Sequence, residues 1–154
     1  MQRRTFLKST LAGSAVAVAV GAGLLTPRMV LAAWPKAAFE AKSVDDALSS
    51  LFGSADNTPS GDIKIKAPDI AENGAVVPVT VSSSMKGVDN IAIIASKNGT
   101  PLSANFKLDA GTQAMVATRI KMGKTSDVVA VIKANGKLYS ARKNVKVTIG
   151  GCGG

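Results

Sequence analysis

Hydrophobic and polar residues alternate along most of the chain after residue 61, with the two-residue period of β-strands. In IKIK, Ile63 and Ile65 would point to one face and Lys64 and Lys66 to the other. Such runs predict eight strands, Ile63–Ala67, Val76–Ser82, Asn90–Ser96, Ala104–Leu108, Gln113–Lys121, Asp127–Ala134, Lys137–Arg142 and Val145–Ile149. Because no helical segment separates them, the pattern predicts an all-β, immunoglobulin-like antiparallel β-sandwich.

Two features refine this prediction. Asn98-Gly99 and Asn135-Gly136 supply residues that tolerate the positive φ of tight hairpin turns, so we expect their flanking strands to pair. The run VVAVI, Val128–Ile132, has no polar face, which indicates a strand covered on both sides. Either the N-terminal helix or a partner subunit could provide the second cover.

A helical pattern precedes the strands. Between Trp34 and Phe52 the apolar residues fall on one face, with Ser43 as a capping residue and Gly53 as a stop. The stretch Ser54–Gly61 is rich in helix breakers and is predicted to be a loop. We therefore expect a helical segment and loop at 33–61 and a β-sandwich domain at 62–149.

The first 32 residues have the pattern of an export signal. Arg3 and Arg4 lie in RRTFLK, close to the twin-arginine export motif, with Gln2 where Ser or Thr is usual. The apolar run Leu11–Leu25 is shorter than the roughly 20 residues of a membrane-spanning helix, and small residues suited to cleavage follow it. We expect residues 1–32 to be removed and the mature protein to be periplasmic without a membrane span; a retained amphipathic anchor is the alternative.

Charge and composition exclude several classes of function. The formal charge of +9 falls to about +5 after removal of the signal, which leaves 15 basic and 10 acidic residues, and the basic residues are dispersed along the sequence. Aromatic residues make up only 4% of the chain, so nucleic-acid binding is not expected. With no histidine, the chain lacks Ser-His-Asp or Cys-His catalysis and imidazole-based metal sites.

The remaining candidates for metal or acid/base chemistry are weak. Met85, Met115, Met122 and Cys152 could act only as soft ligands, and core or surface packing explains these methionines better. The aspartates sit at a helix start or beside predicted turns, where Asp is common. We expect no metal, no cofactor and no catalytic residue in this chain.

The chain ends in GGCGG, which contains its only cysteine, Cys152. A single thiol cannot form a disulfide within its own chain, and four flanking glycines offer no apolar side chains to bury it. Gly150, Gly151, Gly153 and Gly154 thus predict a flexible arm at 150–154. A carrier thiol loaded by other proteins, an adaptor dimerised through an intermolecular disulfide at Cys152, and an idle tail are the alternatives.

The terminal GGCGG, on an exported strand-rich domain with an RRTFLK start, resembles the SoxY family of the bacterial thiosulfate-oxidising (Sox) system. The resemblance implies that Cys152 attaches sulfur intermediates covalently and that the glycines form a swinging arm. It also implies a non-catalytic, periplasmic subunit in a heterodimer with a SoxZ-like protein. The enzymes it implies are SoxAX, which conjugates thiosulfate; SoxB, which releases sulfate; and, where present, the sulfane dehydrogenase SoxCD.

A second kind of sulfur carrier also ends in Gly-Gly. Ubiquitin-like carriers hold sulfur as a C-terminal thiocarboxylate, which here would use Gly154 instead of Cys152. Their activation by ATP takes place in the cytoplasm, which an exported chain would not readily meet. The cysteine is therefore the preferred attachment point.

Overall fold

The computed structural model describes residues 34–148. The predicted signal at 1–32 and the arm at 150–154 lie outside these residues. The described part contains two helices, α1 (Lys36–Glu40) and α2 (Val44–Phe52), followed by nine strands. The strands are β1 (Thr58–Pro59), β2 (Ile63–Lys66), β3 (Ile70–Ala71), β4 (Val77–Ser83), β5 (Val88–Ala95), β6 (Leu102–Lys107), β7 (Met115–Ile120), β8 (Ser126–Ala134) and β9 (Lys137–Val147).

The strands form two sheets, which confirms the predicted β-sandwich. One sheet has the order β1-β9-β8-β5-β6, with β3 also paired to β9, and the other has the order β2-β4-β7. Apolar side chains that alternate along β4, β5 and β8, such as Val79, Ile93 and Ala130, fill the space between the sheets. The opposite residues of IKIK behave as predicted, since Ile63 is buried and both lysines are exposed.

The helices cover the outer face of the larger sheet. Ala47 and Leu48 on α2 and Ala38 on α1 form a second core with Val129 and Val131 of β8. This arrangement explains the apolar run Val128–Ile132, because alternate residues of β8 face the other sheet and the helices. Of the two covers considered from the sequence, the N-terminal helical segment is the one observed.

The helical segment differs from the sequence prediction in being interrupted. Ala41 and Ser43 have non-helical backbone angles, so the helical pattern over 34–52 forms two short helices, the second of which begins after the predicted cap Ser43. The reason lies in the cap: Ser43 Oγ accepts a hydrogen bond from the Asp46 N–H at 3.0 Å, and an N-cap residue is itself non-helical. Gly53 ends α2 as predicted, with φ +81° and its N–H bonded to the Ser49 carbonyl.

Three details of the strand prediction are wrong. The two strands expected at 137–142 and 145–149 are one continuous strand, β9, which pairs along its length with β8. The short strands β1 and β3 run parallel to β9 and carry no alternation long enough to detect, so the sandwich is not wholly antiparallel. The third error is the tight turn with positive φ angles that was expected at Asn98-Gly99.

Both predicted hairpins are present, but only one has the expected turn. Asn135 and Gly136 have φ of +51° and +76° between β8 and β9. Strands β5 and β6 also pair, yet neither Asn98 nor Gly99 has a positive φ, because a longer loop joins these strands.

Among residues 34–148, no helix is long and apolar enough to cross a membrane.

Candidate functional site

The residues that the sequence singles out are Cys152, the four glycines around it and the export-signal residues Arg3 and Arg4. All of them lie outside the described residues, so the structure places none of them. The described chain ends at Thr148, four residues before Cys152. The end of β9 and the residue after it, the segment Lys146–Thr148, lead towards Cys152, and we call this segment the arm root.

The arm root is held from two sides by hydrogen bonds. On one side, the Lys146 N–H donates to the Asp69 carbonyl at 2.9 Å and the Thr148 N–H donates to the Ala71 carbonyl at 3.1 Å. On the other, Thr125 Oγ1 accepts from the Val147 N–H at 2.9 Å and donates to the Val147 carbonyl at 3.3 Å. The peptide preceding the cysteine-bearing segment is thus anchored to the folded body.

A close approach of two loops reinforces the arm root. The Met122 N–H donates to the Gly74 carbonyl at 2.7 Å, and a Cβ placed on Gly74 would collide with the Met122 carbonyl oxygen and lie 2.8 Å from Val147 Cγ1. Met122 is itself buried, at 1% exposure. Only a residue without a side chain fits between β7 and β9 at this point.

The loops beside the arm root are tied together by one side chain. Asn98, in the β5–β6 loop, donates from Nδ2 to the Lys121 carbonyl at 2.6 Å and accepts at Oδ1 from the Gly123 N–H at 3.0 Å. Lys121 and Gly123 belong to the β7–β8 loop, which also contains Thr125, the residue whose hydroxyl group is hydrogen-bonded to the arm root. Asn98 therefore acts as a bridge between two loops rather than as a residue of a tight turn.

These loops surround a concave surface that is lined by lysines. The cavity has a volume of about 530 Å³ and is lined by Lys42, Lys97, Lys121 and Lys124, with Asn98, Gly99, Thr100 and Gly123. We call the four lysines, all of them exposed, the lysine patch. No carboxylate is among the described residues that line the cavity.

Sequence reasoning missed this patch because it described the basic residues as dispersed. The lysines come from the α1–α2 connection, the β5–β6 loop and the β7–β8 loop, and only Lys121 and Lys124 are close in sequence. No local pattern could have grouped them. The fold corrects that description, since it brings four positive charges to the end of the sandwich where the arm begins.

The methionines and aspartates considered from the sequence for metal or acid/base chemistry lie in different parts of the fold. Met122 is buried at one end of β7, whereas Met115 at the other end is 52% exposed and Met85 packs partly against the core. Asp45 and Asp46 lie in the first turn of α2, where they complement its positive end. Within residues 34–148, no group of three or more His, Cys, Asp or Glu side chains is placed to hold a metal ion.

The sequence matches a protein-family model. Residues 48–152 match the family described as sulfur oxidation protein SoxY, so the match covers about two thirds of the chain and reaches Cys152. No curated protein matches the sequence.

Solved structures include a close relative. The sulfur carrier protein SoxY from Chlorobium limicola f thiosulfatophilum is 47% identical, with a TM-score of 0.64 over 70% of this chain and 97% of that one. The human F-spondin reeler domain is 12% identical, with a TM-score of 0.39 over 58% of this chain and 95% of that one. A chain from a structure on T cell specificity and activation by the bacterial superantigen toxic shock syndrome toxin-1 is 9% identical. Its TM-score is 0.40, over 56% of this chain and 99% of that one.

The last two likenesses are too distant to carry an argument. The family match and the 47% identical carrier agree with each other and with the two-sheet fold. The chain is a member of the SoxY family, the sulfur carriers of sulfur oxidation.

Proposed function

We propose that the protein works in the periplasm, that Cys152 holds the sulfur intermediates covalently, and that Gly150–Gly154 presents them to the Sox enzymes. The observation that carries this proposal is that the family match extends to residue 152, where the chain has its only thiol. The hydrogen bonds of the arm root support it further, because they hold the last described residues before the arm on the folded body.

The chemistry needs a donor thiol and external catalysts. Oxidation joins the sulfane sulfur of thiosulfate to the thiol of Cys152, forming an S–S bond with release of one proton and two electrons, which the SoxAX haem enzyme would accept. Water, activated by a SoxB-type hydrolase, would then cleave the terminal sulfonate as sulfate and leave a persulfide on Cys152. A SoxCD-type dehydrogenase, where present, would oxidise the outer persulfide sulfur to a sulfonate, taking its oxygen from three water molecules and accepting six electrons as protons are released. A second hydrolysis would then release sulfate and free the thiol.

In this scheme the chain itself is not an enzyme and needs no cofactor. A SoxZ-like subunit would be its stable partner, and it would travel with this chain through the twin-arginine route, which exports folded proteins. The signal residues Arg3 and Arg4 would act before maturation and have no part in carrying sulfur.

The first prediction tests the attachment point. Protein isolated from thiosulfate-grown cells should carry reductant-labile sulfur adducts on Cys152, measured by intact mass and peptide mapping. Cys152→Ser should abolish these adducts and the carrier activity while leaving the thermal midpoint nearly unchanged, since a substitution outside the core costs little stability.

Three results would contradict the proposal. Adducts on the Gly154 carboxylate would favour the thiocarboxylate chemistry, and a mass showing only a disulfide-linked dimer would favour the adaptor. Full thiosulfate oxidation by the Cys152→Ser variant would remove the role of the thiol altogether. Cys152→Ala serves as the matched control for effects peculiar to serine.

A further inference from the structure

We infer that the lysine patch, Lys42, Lys97, Lys121 and Lys124, is the surface on which an acidic rim of the sulfur-processing enzymes docks. This inference rests on the proposed function, because it assumes that an enzyme takes hold of the thiol on the arm. It goes further by assigning a docking surface on the folded body and the charge of the surface that fits it.

Chain length places the patch inside the footprint of any such enzyme. Cys152 follows Thr148 by four residues, which at 3.3 to 3.6 Å per residue span at most about 14 Å. An active site that receives the thiol must therefore lie within about that distance of the arm root. The β7–β8 loop, which carries Lys121 and Lys124, is hydrogen-bonded to the arm root through Thr125. An enzyme that encloses Cys152 consequently faces this loop.

The positive charge of the lysine patch indicates that the docking surface of the partner is acidic. The four patch lysines are exposed, and within residues 34–148 none of them lies within salt-bridge distance of a carboxylate. Asp69 pairs with Lys143 at 3.1 Å, and Asp127 accepts a hydrogen bond from Asn144 at 2.8 Å, so both carboxylates have partners on β9. A group of lysines without counter-charges repel one another, and an acidic partner surface relieves that repulsion while it steers the encounter.

Loop geometry keeps the lysines together. The Asn98 side chain joins the loop of Lys97 to the loop of Lys121 and Lys124 by two hydrogen bonds. The two loops that carry Lys97, Lys121 and Lys124 are thus held together by the fold before a partner arrives, so less loop ordering is required on association. The same argument makes Asn98 a positioning residue for the patch.

The experiment compares two variants of equal charge, each prepared with the natural partner subunit. The patch variant carries K42Q, K97Q, K121Q and K124Q. The control carries K64Q, K66Q, K86Q and K137Q, four exposed lysines on other parts of the described surface. The readout is the rate of sulfur loading of Cys152 by the thiosulfate-conjugating enzyme, followed by intact mass over a range of ionic strengths.

We expect kcat/KM of the patch variant to fall about tenfold at low salt, with kcat nearly unchanged, because steering acts on encounter. The difference should disappear near 1 M salt, where the Debye length is about 3 Å. The control should stay within about twofold of the unsubstituted protein. N98A should give a smaller loss with the same salt dependence.

The contrary outcomes are distinct. Equal losses in both variants would mean that net charge alone matters, and a loss that persists at 1 M salt would exclude electrostatic docking. Dissociation of the partner subunit from the patch variant, seen by light scattering, would assign the lysines to the subunit interface instead. If the patch variant loads as fast as the unsubstituted protein at low salt, the docking surface is wrong although Cys152 still carries sulfur. If no adduct forms even on the unsubstituted protein, the proposed function itself fails.

Discussion

Two residues, Gly74 and Thr125, make the close contacts that hold the arm-root end of the sandwich together. At Gly74, the Met122 carbonyl oxygen and the Val147 side chain occupy the space that any Cβ would need. At Thr125, the hydroxyl group both accepts from and donates to the backbone of Val147. These contacts connect the body to the strand from which the carrier segment continues.

Gly74→Ala should lower the free energy of unfolding by about 1 to 3 kcal/mol, because the added methyl group overpacks a site bounded by backbone. Gly61→Ala is the matched control, since a Cβ at Gly61 meets no atom within 4 Å and its φ is not positive. The control should leave stability unchanged or raise it by up to about 1 kcal/mol through the unfolded state. Urea denaturation measures the stability of both variants. Equal midpoints would show that Met122 and Val147 can move to accommodate the added methyl group without loss of stability.

At the scale of elements, the helices and the larger sheet depend on each other. The helix α2 has only nine residues, a length at which isolated helices are marginal in water, so its stability comes from packing. Leu48 and Ala47 supply that packing against Val129 and Val131, the outward residues of β8. Without α2, these valines of a central strand would face solvent.

Leu48→Ala should cost about 2 to 5 kcal/mol, as truncation of a buried leucine leaves a cavity. Leu48 is 1% exposed, whereas Ser50 on the same helix is exposed, so Ser50→Ala is a control that removes no buried side chain and slightly favours the helix. Thermal unfolding followed by circular dichroism should show one transition shifted to lower temperature for Leu48→Ala only. A separate early loss of helical signal, with the sheet transition unmoved, would show that the helices are independent of the sandwich.

At the scale of the whole molecule, two cores share one sheet and leave one end of the sandwich for function. Strands β5 and β8 are buried on both faces, because the smaller sheet covers one face and the helices cover the other. The lysine patch lies on the loops at the arm-root end of the sandwich. The last described residue, Thr148, lies at the same end. A rigid body with a short segment beyond it suits a carrier whose cargo must enter other proteins.

Stiffening that segment should slow turnover without unfolding the protein. Gly150→Pro combined with Gly151→Pro would restrict the backbone φ angles of the arm. We expect sulfur loading by the Sox enzymes to slow by about tenfold or more, as misplacement of the reacting atom is costly. Gly150→Ala combined with Gly151→Ala is the control and should lose less. Unchanged turnover of the proline variant, with an unchanged thermal midpoint, would show that arm flexibility is dispensable.

Features encoded in neighbouring residues could be predicted from the amino-acid sequence alone. Alternation located β2 and β4 to β8 to within a few residues, the Asn135-Gly136 turn was correctly predicted, and Ser43 and Gly53 delimited α2. The terminal GGCGG indicated the family that the comparisons then showed. Each of these signals depends on local backbone preference or on a contiguous motif.

Features that depend on residues far apart in the chain became visible in the folded structure. It joined two predicted strands into β9, added the parallel pairings of β1 and β3, and placed α2 over β8. It also gathered Lys42, Lys97, Lys121 and Lys124 around one cavity and made Asn98 a bridge between two loops. Periodicity shows which face of a segment is apolar, but the segment that packs against this face is selected by the folding of the whole chain.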